Sequence, residues 1–208
     1  MPSYELFYFN ARGRGEVARM CFHFAGVPFK DSRIAHEEWR SVKGDTSKFP
    51  YGQMPSLLID GKPLTESHAI NRFVARVTNL DGGSDPVETA FLDQAYEVFR
   101  CFVDETYTFY ITALGYAQGD KDQLYKEQFV PAVQKHFPKI IGLLKPNGFF
   151  GNKGPSYVDF YVAGYMESFL KQGFAEVNKF PPLVKHLTDV RNIPQLQEYL
   201  KNRPDTIS

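Results

Sequence analysis

The sequence predicts a protein of two parts, an α/β domain followed by an all-helical domain. Strand-type and helix-type patterns alternate over the first 78 residues, whereas only helical periodicity follows. Between the two parts lies a segment rich in Gly, Asp, Ser and Pro, which are typical of turns and linkers. We therefore predict an α/β domain over residues 1–78, a linker over 79–86 and a helical domain over 87–208.

The first domain begins with a predicted β-α-β unit. Residues 3–9 form the first strand, with Leu6 and Tyr8 on the same side of it. A polar loop leads from this strand into an amphipathic helix, which Gly26 ends as its C-cap. Residues 27–34 supply the second strand.

A β-hairpin and a second helix complete this domain. Two short apolar runs surround Asp60-Gly61, a dipeptide typical of a tight hairpin turn. Ser67 is placed to cap the helix that follows. The expected core face of that helix consists of Ile70, Phe73, Val74 and Val77. The predicted order of elements is therefore β-α-β-β-β-α.

The second half carries only helical patterns. Its first long helix is marked by apolar residues at helical spacing: Phe91, Leu92, Ala95, Val98, Phe99, Phe102 and Val103. Further helices are predicted over 122–144, 156–171, 181–190 and 194–201. Pro131 and Pro138 are expected to break or kink the first of these. Ser156 and Asp159 have the spacing of a structural capping box at a helix start.

The composition narrows the classes of function. Hydrophobic residues make up 43% of the chain and charged residues 23%, which is typical of a globular protein. The formal net charge is zero and basic residues are scattered, so we expect no nucleic-acid partner. We also expect no membrane partner, because no apolar run approaches the roughly 18 residues that a span needs. The absence of a signal-peptide pattern and the presence of only two cysteines predict a cytoplasmic location.

Five features, in this order, resemble those of the glutathione transferase superfamily. They are Tyr8-Phe9-Asn10-x-Arg12-Gly13-Arg14, Trp39 with Lys43, Gln53-Met54-Pro55, Glu66-Ser67, and the all-helical second half. The first motif is most similar to the sigma-type branch and its nematode members. The resemblance implies a thioredoxin-like N-terminal domain, a C-terminal helical bundle and a homodimer. It also implies that glutathione is a co-substrate, with no other cofactor and no metal ion.

Tyr8 is the predicted catalytic residue. A free thiol with a pKa of about 8.5 is only about 3% thiolate at pH 7. A phenol that donates a hydrogen bond to the sulfur favours the thiolate by about 1.5–3 kcal/mol, which lowers the thiol pKa by roughly one to two units. The resemblance places Arg14 near the same thiol, where its positive charge would add to this effect.

The resemblance also implies how the tripeptide is held. An indole N–H and an ammonium on one helical face, from Trp39 and Lys43, suit the glycine carboxylate. The backbone of Met54, before a cis bond to Pro55, pairs with the cysteinyl part, and Gln53 lies beside it.

The γ-glutamyl end is expected at Glu66 and Ser67. Backbone N–H groups at a helix start attract carboxylates, so Ser67 would hold the γ-glutamyl carboxylate. Glu66 would pair with the γ-glutamyl ammonium.

The second substrate is predicted to be a hydrophobic electrophile. Its pocket is expected to be walled by Phe9, Arg14, Tyr107 and Tyr161. Three alternatives stay open on the sequence alone: a protein that sequesters haem, lipids or xenobiotics, a structural lens-type relative, and a prostaglandin isomerase. Relatives carry an aspartate that reaches the partner subunit's glutathione, and Cys101 stands at that position here.

Overall fold

The computed structural model describes residues 2–208 and begins with a four-stranded sheet. Its strands are β1 (Tyr4–Phe9), β2 (Lys30–Ile34), β3 (Ser56–Ile59) and β4 (Lys62–Thr65). The spatial order is β2-β1-β3-β4. Strand β1 pairs parallel to β2 and antiparallel to β3, and β3 pairs antiparallel to β4.

Three helices accompany the sheet. They are α1 (Glu16–Ala25), α2 (His36–Val42) and α3 (Ser67–Val77). Gly26 ends α1 with a φ of +64°, a left-handed conformation that glycine adopts without steric cost, as the sequence predicts. Leu6 of β1 and Leu57 of β3 are fully buried. The predicted thioredoxin-like fold is therefore confirmed, but the predicted order β-α-β-β-β-α lacked helix α2 between β2 and β3.

The second half is entirely helical. Its helices are α4 (Pro86–Glu105), α5 (Tyr107–Ala113), α6 (Lys121–Leu124), α7 (Val130–Ile141), α8 (Tyr157–Lys171), α9 (Pro181–Arg191) and α10 (Gln197–Asn202). Helix α8 is largely buried and packs against α1, α4 and α9. Asp85 caps α4 by accepting the N–H groups of Val87 and Glu88 at 2.9 and 3.2 Å. The boundaries 79–86 drawn for a linker stay a prediction.

The buried stripe of α4 differs from the predicted one at Phe91, Tyr96 and Val98, of which Val98 is only partly buried. Leu92, Ala95, Phe99, Phe102 and Val103 are buried as expected, and Tyr96 joins them. Phe91 is 58% exposed, because it lies at the edge of the stripe that these residues form.

Neither Pro131 nor Pro138 breaks the helix, and the alternative that they kink it stays a prediction. The chain remains helical from α6 to α7 through a π turn, Tyr125–Phe129, that directly precedes the first turn of α7. The wide turn accommodates the missing N–H of Pro131, and Pro138 lies inside α7 because buried Phe137 and Ile140 hold that helix in place.

Ser67 does not cap α3. It is the first residue of the helix, and Glu66 occupies the cap position with a φ of +67° and a ψ of 109°. The chain reverses sharply between β4 and α3 at Glu66, which leaves the Ser67 hydroxyl without a capping bond.

The capping box at the start of α8 is present, with Asp159 accepting the Ser156 N–H and hydroxyl at 2.7 Å each.

Within residues 2–208, no helix has the length and apolar character needed to cross a membrane.

Candidate active site

Tyr8 lies near the end of β1, directly below the loop that leads into α1. Two glycines of that loop let the phenol ring pack closely. A Cβ on Gly13 would lie 2.7 Å from the Tyr8 hydroxyl, and a Cβ on Gly15 would lie 2.9 Å from Cγ of the ring. Such distances are far below van der Waals contact, so this placement of Tyr8 requires residues without a side chain at both positions.

The Tyr8 hydroxyl is oriented by one backbone group. The Arg14 N–H donates a hydrogen bond to the hydroxyl oxygen at 3.1 Å. Burial raises the pKa of Tyr8 above its usual value of 10, and the N–H and charge of Arg14 offset only part of that rise. The phenol is therefore protonated at neutral pH, and its own O–H proton remains free to be donated.

Two cavities meet beside this hydroxyl. The first, which we name the outer chamber, has a volume of about 330 Å³ and contains Tyr8 in its wall. Its apolar lining includes Phe9, Met54, Ile111, Leu114 and Tyr116. It is therefore an apolar cleft with a phenol O–H at one side, suitable for a hydrophobic substrate.

The second cavity, the inner chamber, has a volume of about 200 Å³ and is more polar. Ser67, His68, Asn71, Asp104 and Tyr161 line it, and it does not include Tyr8. The hydroxyl of Tyr161 and the Oδ1 atom of Asn71 are buried and have no hydrogen-bond partner among residues 2–208. The two chambers share five lining residues: Gly13, Arg14, Tyr107, Tyr110 and Tyr165.

Two predicted peptide-binding elements have backbone groups open for a ligand. The Met54–Pro55 bond is cis, and no group within residues 2–208 pairs with the Met54 N–H or C=O. At the start of α3, the first intrahelical bond runs from the Ile70 N–H to the Glu66 carbonyl at 2.9 Å. The N–H groups that precede Ile70 in α3 are therefore available to an anion.

The remaining predicted residues lie outside the linings of the two chambers. Trp39 packs edge-on against Phe9 and Phe49, with ring centroids 6.0 and 5.0 Å apart. Lys43 follows the end of α2 and is exposed. Gln53, Glu66, Trp39 and Lys43 line neither chamber.

Of the predicted second-substrate residues, Phe9, Arg14 and Tyr107 line the outer chamber, and Tyr161 lines only the inner one. The Arg14 guanidinium lies 5.3 Å from the centroid of the Tyr107 ring, a cation–π distance. Arg14 and Tyr107 therefore lie at the junction of the chambers, with Phe9 on its outer side and Tyr161 on its inner side.

The sequence did not reveal several residues of the cleft. His36 stacks on Phe9 with centroids 4.2 Å apart and parallel planes, and Tyr116 stacks on His36 with centroids 5.7 Å apart. Their positions depend on tertiary packing rather than on a motif. For Tyr165 a signal existed, since it follows Tyr161 by one helical turn and shares its face.

These features define a two-domain protein in which a thioredoxin-like domain presents a buried tyrosine hydroxyl to an aromatic cleft shared with a helical domain. Comparisons with known proteins agree with this description. Residues 4–76 match the family model described as the N-terminal domain of glutathione S-transferase, and residues 105–203 match the model of its C-terminal domain.

Relatives match along the entire chain. It is 35% identical to a probable glutathione S-transferase 6 of Caenorhabditis elegans, covering 99% of this chain and 98% of that protein. It is 34% identical to glutathione S-transferase 1 of Ascaris suum, covering 99% of each. The chain therefore belongs to the glutathione S-transferase family, and its function is the transfer of reduced glutathione to electrophilic substrates.

Solved structures agree as well. A glutathione S-transferase of the hookworm Necator americanus, described as monomeric, superposes with a TM-score of 0.89, with 34% identity and 98% of each chain covered. A Nu-class enzyme from Haemonchus contortus gives a TM-score of 0.86, with 33% identity and 100% of each chain covered.

Proposed function

We propose that the Tyr8 hydroxyl stabilises the glutathione thiolate by donating a hydrogen bond to its sulfur. The observation that carries this proposal is the bond from the Arg14 N–H to the Tyr8 oxygen at 3.1 Å. Because that oxygen already accepts a hydrogen bond from the backbone, its proton is directed elsewhere. The sulfur would accept that proton as a hydrogen bond at the side of the outer chamber.

Two guanidinium groups supply a positive field around this tyrosine. The Arg19 guanidinium lies 5.7 Å from the Tyr8 ring centroid, and Arg14 lies at the junction of the chambers. Arg19 is fully buried, with its charge paired to Asp31 at 3.0 Å. Arg14 has no ion-pair partner among residues 2–208, so its charge is free to favour an anionic sulfur.

The tripeptide would lie along the backbone groups that are open. We assign the cysteinyl part to the Met54 N–H and C=O, and the γ-glutamyl carboxylate to the start of α3 at Ser67. Trp39 and Lys43 would hold the glycine carboxylate. Gln53 would lie beside the cysteinyl part, and Glu66 would pair with the γ-glutamyl ammonium. Glutathione is then the co-substrate, and the assigned residues need no other cofactor. The electrophile would occupy the outer chamber against Phe9 and Tyr107.

Tyr8→Phe tests the assignment. Loss of a hydrogen bond to a charged sulfur should lower kcat/KM for conjugation by roughly 10- to 150-fold, which corresponds to about 1.5–3 kcal/mol. The matched control is Tyr4→Phe, since Tyr4 lies on the same strand and packs on Phe22 and Phe73 outside both chambers. Wild-type activity in Tyr8→Phe would refute the role of Tyr8.

We further propose that the chain acts in detoxification in the cytoplasm and is related to the sigma-type branch. The loop motif around Tyr8 supports that branch, while the similarity to a Nu-class structure from Haemonchus contortus supports the Nu class as the alternative.

We also propose a homodimer, which the resemblance to the glutathione transferase superfamily supports. Light scattering that gives the mass of one chain at micromolar concentration would contradict the dimer.

A further inference from the structure

Tyr165 stands where the two chambers meet. It lies in the middle of α8 and lines both the outer and the inner chamber. Its ring is held by aromatic neighbours, with the Tyr161 centroid at 5.4 Å, the Tyr110 centroid at 5.5 Å and the Phe99 centroid at 5.8 Å. The ring position is therefore fixed by packing, while its edge borders the cavities.

The Tyr165 hydroxyl has no hydrogen-bond partner among residues 2–208. Unlike the Tyr161 hydroxyl, which is fully enclosed, the Tyr165 hydroxyl is accessible from the cavities. A phenol O–H that borders a substrate cavity without a protein partner costs little only if water or a ligand accepts its proton.

Arg14 supplies a positive charge near Tyr165, whereas Glu16 and Asp104 line the inner chamber that Tyr165 also borders. Arg14 lines the same junction and is among the charges that act on the Tyr165 hydroxyl. Burial raises the pKa of Tyr165 well above 10, so the hydroxyl is protonated and acts as a donor at neutral pH. A donor O–H beside a guanidinium is a suitable environment for an oxygen that becomes negative during a reaction.

We propose that Tyr165 is a second catalytic tyrosine, which donates a hydrogen bond to the carbonyl oxygen of an electrophile bound across the two chambers. This inference rests on the proposed role of Tyr8. The preferred electrophile would be an α,β-unsaturated aldehyde or ketone, with its apolar chain in the outer chamber and its carbonyl at the junction.

The reaction is a conjugate addition of the thiolate to the C=C bond. The glutathione sulfur, which has lost its proton to solvent, forms a bond to the β-carbon. The π electrons of the C=C bond shift to form the new C=C bond of an enolate, and the carbonyl π pair moves onto oxygen. Tyr165 donates its hydrogen bond to this oxygen, and water then supplies a proton to the α-carbon.

Two substrates separate this role from a packing role. In trans-2-nonenal the developing charge is on a carbonyl oxygen, whereas in 4-nitrobenzyl chloride it leaves on chloride. We expect Tyr165→Phe to lower kcat/KM for trans-2-nonenal roughly 10- to 100-fold more than for 4-nitrobenzyl chloride. Tyr8→Phe should lower both by a similar factor, because both need the thiolate.

The control is Tyr157→Phe, on the same helix and outside both chambers. The Tyr157 hydroxyl donates to Asp93 at 2.6 Å, so its removal should lower the Tm but leave the ratio between the two substrates unchanged. An equal loss for both substrates in Tyr165→Phe, or no loss for trans-2-nonenal, would overturn the proposal. A Tyr8→Phe enzyme with wild-type rates would instead refute the proposed function, whatever the effect of Tyr165→Phe.

Discussion

The position of Tyr8 depends on what its neighbours lack. Gly13 has a φ of +38°, a region that side chains rarely adopt, whereas Gly15 has an ordinary φ of −87°. Gly15 therefore isolates the steric effect, since an added Cβ would lie 2.9 Å from both Cγ and Cδ1 of the Tyr8 ring. These are atoms of a rigid ring, so the ring as a whole must move.

Gly15→Ala should displace the catalytic hydroxyl without any change of a polar group. Because a shift of about 1 Å can cost about 100-fold in rate, we expect kcat/KM to fall by at least about 10-fold. Overpacking should also lower the free energy of unfolding by about 1–3 kcal/mol. The control is Gly44→Ala, where a Cβ would meet no atom within 4 Å. Steady-state kinetics that give the same kcat/KM for both variants would contradict this account.

Among the individual site residues, the sequence predicted those that belong to one contiguous motif. Tyr8 and Arg14 are six positions apart, and local geometry joins them. His36 and Tyr116 are brought together by stacking between an α/β element and a helical one, which leaves no pattern in either segment. Tyr165 escaped notice because buried helix aromatics are usually core residues.

Helix α3 begins with a strained residue. Glu66 has a φ of +67° and a ψ of 109°, a combination that costs a residue with a side chain about 1–3 kcal/mol. The side chain of Glu66 is exposed and lacks an ion-pair partner among residues 2–208. The strained backbone thus aims the start of α3 toward the inner chamber, where Ser67 and His68 lie.

Glu66→Gly should separate stability from ligand binding. Glycine relieves the strain but adds freedom to the unfolded chain, worth about 0.4–1 kcal/mol, so we expect a net gain in unfolding free energy of about 1 kcal/mol. The variant should bind glutathione more weakly, because the γ-glutamyl ammonium loses its ion-pair partner, the Glu66 carboxylate. Glu66→Ala is the matched control, since it also removes the carboxylate but keeps the strain. Equal stability of the two variants in denaturant titrations would disprove the strain argument.

The order of elements could be predicted because periodicity and turn residues are local. The cap of α3 could not, because the reversal after β4 assigns the cap position to Glu66 although Ser67 is the better capping residue in isolation. The continuity of α6 and α7 across Pro131 likewise depends on a π turn that the helical pattern does not encode.

A buried ion network joins the two halves of the molecule. Arg12, in the loop after β1, pairs with Glu167 of α8 at 3.0 Å, and Glu167 accepts two hydrogen bonds from one Arg203 nitrogen at 2.6 and 2.7 Å. Arg203 continues the network to Glu16 of α1, which also accepts the Tyr199 hydroxyl at 2.8 Å.

The network also anchors the catalytic loop. Arg12 donates to the Thr206 and Ile207 carbonyls at 3.2 and 2.7 Å. It is two residues before Arg14, whose N–H orients Tyr8. The helical half therefore holds the loop on which thiol activation depends.

Glu167→Gln should destabilise the protein in a pH-dependent way. Burial alone would raise the Glu167 pKa, but the charges of Arg203 and Arg12 hold it below its usual value. A lowered carboxylate pKa stabilises the fold above the unfolded pKa of about 4.3, and this contribution is lost as the pH falls through the folded pKa. Removal of one partner of a buried pair should cost about 3–5 kcal/mol at pH 7.

Unfolding free energies measured between pH 7 and pH 3 check this prediction, and the difference from wild type should shrink below about pH 4.3. Glu127→Gln is the control, because Glu127 is exposed and only accepts a bond from Gln123 at 3.1 Å. A pH-independent difference would contradict the ionic origin of the effect. The sequence could not predict this network, since Glu16 and Arg203 are 187 residues apart.

The most direct test of thiol activation is the pKa of the glutathione thiol bound to the enzyme, measured by thiolate absorbance against pH. For the wild-type enzyme we predict a value roughly one to two units below the free thiol value of about 8.5. In Tyr8→Phe the thiol pKa should return close to the free value, while Tyr4→Phe should keep the wild-type one. A Tyr8→Phe enzyme whose bound thiol keeps the lowered pKa would contradict the account.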